Sequence, residues 1–134
     1  MRYMLLIYST ERAEAQADPA EMQAIMQGHQ AVMEGTAKAG ILRSADPLHP
    51  TFTATTVRVQ NGKPITTDGP FAETKEQLGG YYILDCKDLD EAIQWAGKIP
   101  TGCKGGSGCI EIRPTLEIPQ LEEAINQAVA QARS

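Results

Sequence analysis

The sequence predicts a single α+β domain, a ferredoxin-like β-α-β-β-α-β sandwich with an inserted β-hairpin and a C-terminal helix. Three observations predict it. Acidic capping signals at Asp18 and Asp88 each open an apolar helical stripe. Short β-rich runs stand before and after both helices. Asn61-Gly62 between two alternating runs is a strong hairpin signal. At 134 residues the chain is long enough for one core.

The elements follow in order. Arg2 to Tyr8 is apolar on both alternating faces, which suits a central strand covered on both sides. Ser9 to Ala17 is polar and reads as a turn. Asp18-Pro19-Ala20-Glu21 starts a long helix, with an N-cap acid, a first-position proline and a reciprocal Glu. Met22, Ile25, Met26, Val32 and Met33 form its apolar stripe, and His29 falls inside that stripe. Ala24, Gly28, Ala31 and Gly35 make a small-residue side. Two glycines inside a helix cost about 1 kcal/mol each against Ala, so a close packing partner is expected there. A second subunit or the C-terminal helix is the expected partner. Gly40 stops the helix.

Ile41 to Ala45 reads as a short strand and Asp46 to Pro50 as a loop, since proline donates no ladder hydrogen bond. Thr53 to Gln60 and Lys63 to Thr67 form the hairpin. Gly79 to Cys86 is the next strand, its glycines marking a bulge or a close backbone approach. The second helix opens at Asp88 and presents Leu89, Ala92, Ile93 and Ala96, with Trp95 on the flank; Pro100 ends it. Thr101 to Gly108, containing Lys104, reads as a flexible connector without the residue order of a phosphate loop. Cys109 to Pro114 alternates strictly, with Ile110 and Ile112 inward. Pro119 to Ala132 is an amphipathic helix whose apolar face needs a cover. The domain is therefore expected over residues 1–118, with a helical extension over 119–134. Helices cover one face of such a sheet. A second copy covering the other face predicts a homodimer.

Composition narrows the function. A net charge of −5 speaks against a nucleic-acid partner. No apolar run reaches the length of a membrane span, so no membrane partner is expected. The short apolar N-terminal run lacks a signal-peptide cleavage site, which places the expected location in the cytoplasm. Three cysteines, an odd number, argue against a disulfide framework.

The densest stretch is Thr67-Asp68-Gly69-Pro70-Phe71-Ala72-Glu73-Thr74-Lys75-Glu76-Gln77-Leu78-Gly79-Gly80. Together with Arg2 to Tyr8, Asp88 to Ala96 and Ile110 to Pro114, it resembles the YCII-related proteins of the DGPF type, over roughly Met1 to Pro114. The resemblance implies a dimeric α+β barrel of ferredoxin-like subunits. Most members have no assigned reaction. Some relatives accompany extracytoplasmic-function sigma factors, and a distant branch is similar to a dehydrochlorinase of chlorinated hydroxyquinols. One branch carries a His-Asp dyad. His29 matches its histidine, but Ile99 stands where its Asp is expected, just before Pro100. The dyad is therefore incomplete.

His29 is thus either a core histidine satisfied by a backbone carbonyl or a general base that titrates near neutrality. Asp68 either replaces the missing Asp or serves turn chemistry before Gly69. Phe71 anchors its loop or lines the pocket. Glu73, Lys75 and Glu76 bind a polar ligand or form a solvated face. A metal site of His29, Asp68 and Glu73 lacks ligand spacing, and no cofactor is expected. The first expectation is a dimer that binds a small molecule in a pocket lined by His29, Asp68 and Phe71, with Glu73 and Lys75 contacting it. There His29 moves a proton. The alternatives are a non-catalytic sensor or partner module linked to sigma-factor regulation, and a structural dimer with a vestigial pocket.

Overall fold

The computed structural model describes residues 1–103 and 106–134; the expectations for Lys104 and Gly105 lie outside the described residues. The described residues form six strands, β1 (Arg2–Ser9), β2 (Leu42–Pro47), β3 (Thr55–Gln60), β4 (Lys63–Asp68), β5 (Gln77–Asp85) and β6 (Gly108–Pro114), and four α-helices. The helices are α1 (Glu11–Ala15), α2 (Pro19–Lys38), α3 (Leu89–Ala96) and α4 (Pro119–Arg133). The fold is mixed α+β. Its main sheet runs β2-β5-β1-β6 with antiparallel neighbours throughout.

Strand β1 is central because its residues suit burial. Tyr3 and Leu5 face the helices and are buried, while Met4, Leu6 and Tyr8 alternate to the other face, where they are half-buried. Tyr82 and Leu84 of β5, Val32 of α2, Ala92 of α3 and Ile99 join Tyr3 and Leu5 in one core. Thr36 is also wholly buried, and its hydroxyl donates to the Val32 carbonyl at 2.7 Å, so no polar atom is stranded there.

Both capping signals are real. Asp18 accepts from the Glu21 amide at 2.8 Å and Asp88 from the Glu91 amide at 2.9 Å. The Glu91 carboxylate returns its bond to the amide of Lys87, one residue earlier than a strict capping box requires. The hairpin turns at Asn61-Gly62, both with positive φ, and pairs Gln60 with Lys63. Opposite Ile7 and Tyr8 of β1 stand Gly80 and Leu78, so Gly79 is the extra residue of a β-bulge.

The structure corrects several expectations. The polar run after β1 contains helix α1. Glu, Ala and Arg are good helix formers, but five residues without a large apolar stripe leave no periodic signal. Strand β2 extends through Asp46 and Pro47, which pair with Tyr81 and Gly80; proline is tolerated because β2 is an edge strand. A 3-10 turn at Thr51–Thr53 precedes β3. The small-residue side of α2 packs within its own chain. A Cβ on Gly28 would sit 2.5 Å from Pro100 Cγ, and one on Gly35 would sit 2.9 Å from the Trp95 ring. Trp95 therefore leans on the core, and Leu89 and Ile93 are the exposed large apolar residues of α3. The glycine-rich connector is tied down where it is described: the Thr10 amide donates to the Ser107 carbonyl at 3.1 Å, and the Gly106 amide to that of Cys103 at 2.8 Å.

Helix α4 is exposed along its whole length. Its stripe of Leu121, Ile125 and Val129 is left exposed by the described residues. Among the described residues, no helix is long and apolar enough to cross a membrane.

Candidate functional site

A cavity of about 680 Å³ opens between α2 and the β2-β5 side of the main sheet, with α1 at one end. Helix α2 places it. Val32 and Thr36 bury the C-terminal half of the helix, while Met26 and Met33 border open space. The bulge at Gly79 and the side-chain-free Gly80 leave the start of β5 thin, so the sheet wall recedes there. Apolar walls come from Ile7, Ile25, Met26, Met33, Ala45 and Leu48.

His29 and Tyr82 form the polar centre. Nδ1 of His29 lies 2.9 Å from the Tyr82 hydroxyl, and their rings stack 6.1 Å apart with an interplanar angle of 15°. The same hydroxyl lies 3.4 Å from the His29 carbonyl oxygen. Two proton arrangements satisfy this geometry. In one, Tyr82 donates to Nδ1, and Nε2 carries the ring proton. In the other, Nδ1–H donates to the phenol oxygen, the phenol donates to the carbonyl, and Nε2 has a free lone pair. Burial pushes His29 below the ordinary imidazole value, with the Glu14 carboxylate pulling the other way. Burial also raises Tyr82. Both groups are therefore neutral near pH 7, a base beside a proton donor.

Carboxylates edge the same space. Glu14 Oε1 accepts from the buried Ser9 hydroxyl. Glu11 uses both oxygens on Thr51, accepting from its amide and its hydroxyl, each at 2.7 Å. Asp46 accepts from the Tyr81 hydroxyl at 2.7 Å.

Of the residues singled out in the sequence, His29 lines this cavity and the others do not. Asp68 ends the exposed strand β4 and is not a lining residue, so Nδ1 of His29 is held by a phenol and not by that carboxylate. Gly69 has φ +100°, and its amide donates to the Ala54 carbonyl at 2.7 Å, which carries the β3–β4 pairing one residue past Asp68. Phe71 is 79% exposed, so it is not an apolar anchor among the described residues; it follows Gly69-Pro70 out of a hairpin whose strands are largely exposed. Glu73 lines a second space of about 370 Å³ with Phe52, Pro70, Ala72, Thr74 and Gln77. Lys75 is exposed and borders neither space. Glu76 accepts from Ser107 Oγ at 3.1 Å, a structural contact. Among the described residues, no group of three or more metal-ligating side chains converges. Ile99, at the position of the dyad acid, is 5% exposed within the core.

Sequence reasoning missed Tyr82 and Glu14. Tyr82 is one of two adjacent tyrosines on a strand, and only the register decides which faces the helix. Glu14 lies in the run read as a turn. A match to the YCII-related domain model spans residues 1–119. The chain belongs to the YCII-related family. It is also 39% identical over 114 residues to an uncharacterised protein of Rhizobium meliloti (strain 1021), covering 85% of this chain and 91% of that one. Within this YCII-related chain, the departure at Ile99 falls on a core position. A carboxylate there would lie among apolar neighbours, where an unpaired charge is costly.

Proposed function

We propose that this YCII-related protein binds a small, largely apolar molecule in the cavity beside α2 and that His29 exchanges a proton with it. The observation that carries this reading is the His29–Tyr82 pair set in the wall of that cavity. Tyr82 takes the place of the dyad acid. When Nε2 accepts a proton from the ligand, the imidazolium keeps Nδ1–H directed at the phenol oxygen, and the phenol turns its own proton to the His29 carbonyl. A neutral partner stabilises an imidazolium less than a carboxylate does, so the pair suits reversible proton exchange with a weakly acidic ligand. The chemistry needs no cofactor. His29→Ala tests it: a metabolite converted by the protein should no longer be converted by the variant, and unaltered turnover would remove His29 as the base.

We read the strand order and the two helices on one face as a ferredoxin-like sandwich, and the assembly as a homodimer forming an α+β barrel. The half-buried Met4, Leu6 and Tyr8 on the open sheet face and the uncovered α4 stripe support this. Light scattering at micromolar concentration should give twice the chain mass of 14.5 kDa; a monomer would defeat the dimer. One observation favours a second role as a partner-binding module. Both phenylalanines, Phe52 and Phe71, are about four-fifths exposed at the base of the hairpin. In that role a ligand would bind without being changed.

A further inference from the structure

Glu14 differs from the other carboxylates of the cavity in one respect. Glu11 spends both oxygens on Thr51, and Asp46 is exposed and bonded to Tyr81. Glu14 is half-buried, is held through Oε1 by the buried Ser9, and leaves Oε2 with no hydrogen bond among the described residues. The same cavity is lined by the apolar side chains of Ile25, Met26 and Met33. The charged residues described in the lining are all acidic, namely Glu11, Glu14 and Asp46.

Accepting that the cavity beside His29 is a ligand site, we propose that its ligand is an organic ammonium ion, its charged nitrogen on Glu14 Oε2 and its apolar body against Ile25, Met26 and Met33. A half-buried carboxylate in an apolar pocket gains most from a cation that brings its own N–H donors. Ser9 fixes the carboxylate, so little side-chain freedom is lost on binding. His29 does not compete for the site, because burial keeps its ring neutral. A carboxylate or phosphate ligand would instead meet three like charges. The net charge of −5 attracts cations over the longer range.

Three probes of nearly one shape separate the contributions: 2-phenylethylammonium, 2-phenylethanol and 3-phenylpropanoate, titrated into the full chain by calorimetry at moderate salt. The ammonium should bind about tenfold tighter than the alcohol, the size expected of one partly buried charge pair, and the carboxylate weakest of all. Glu14→Gln keeps the shape and the Ser9 contact but removes the charge, so it should bring the ammonium affinity down to about that of the alcohol. A melting curve confirms that the variant is folded. Alcohol and ammonium binding equally to the unaltered chain, or Glu14→Gln leaving the ammonium affinity intact, overturns this inference and leaves the cavity reading standing. Failure of all three probes to bind overturns both.

Discussion

The Tyr82 hydroxyl is the hydrogen-bond partner of His29 Nδ1 and couples the proton positions of the two groups. Tyr82→Phe should therefore change the imidazole ¹⁵N shifts of His29 and cost about 1 kcal/mol of stability, the usual worth of a neutral hydrogen bond. Unmoved shifts would mean that the phenol does not control the ring. The pH dependence follows from burial of His29, which depresses its folded value. Above about pH 6.5 the ring is neutral in folded and unfolded chains alike. Below that, the unfolded chain takes up a proton that the folded chain resists, so stability falls on acidification. In His29→Gln the loss of melting temperature between about pH 7.5 and 5 should be smaller than in the unaltered chain; an equal loss would contradict the depressed value. The three cysteines are free. Burial first, then Glu91 and Asp85, push Cys86 up to about 11. Its alkylation should lag far behind that of exposed Cys109.

Helix α2 shows what is legible at the scale of an element. Its cap, its length and the inward-facing His29 follow from Asp18-Pro19 and the periodic stripe. What its small-residue side touches does not follow. Gly28 and Gly35 signal a close approach, but the partner is Pro100 and Trp95, brought there by a connection that no local pattern specifies. The two contributions to Gly28→Ala oppose each other. Alanine gains about 1 kcal/mol in helix propensity, while a Cβ 2.5 Å from Pro100 Cγ forces a shift worth roughly 1–3 kcal/mol. The clash should win, with a net fall in denaturation midpoint. A rise would show that Pro100 yields freely. Ile99→Asp places an acid where the family resemblance leads one to expect it, but that position lies in the core. It should destabilise on the order of 3 kcal/mol without reviving the dyad.

For the molecule as a whole, the sheet was readable because its strands announce themselves by alternation and turn residues. The site was only half readable, because it is assembled by register. The pairing of Tyr82 with Leu5 puts its side chain on the helix side with His29, while Tyr81, one residue earlier, bonds Asp46 instead. The run from Thr67 to Gly80 drew attention by its charges. Its structural part is the hairpin exit, the Gly69 turn and the bulge, and its charged residues lie outside the His29 cavity. Phe52 and Phe71 stand exposed beside this run, and the α4 stripe is exposed as well. An isolated two-stranded hairpin is marginal in water, so association that covers it should raise the melting temperature with protein concentration.

The five methionines provide the most direct test of the cavity. Met26 and Met33 line it, whereas Met1, Met4 and Met22 do not. With ¹³C-methyl-labelled methionine, titration with 2-phenylethylammonium or 2-phenylethanol should move the Met26 and Met33 signals together with the His29 ring resonances, leaving Met1, Met4 and Met22 in place. Shifts spread evenly over all five methyls, or absent from Met26 and Met33, would contradict a ligand site at His29.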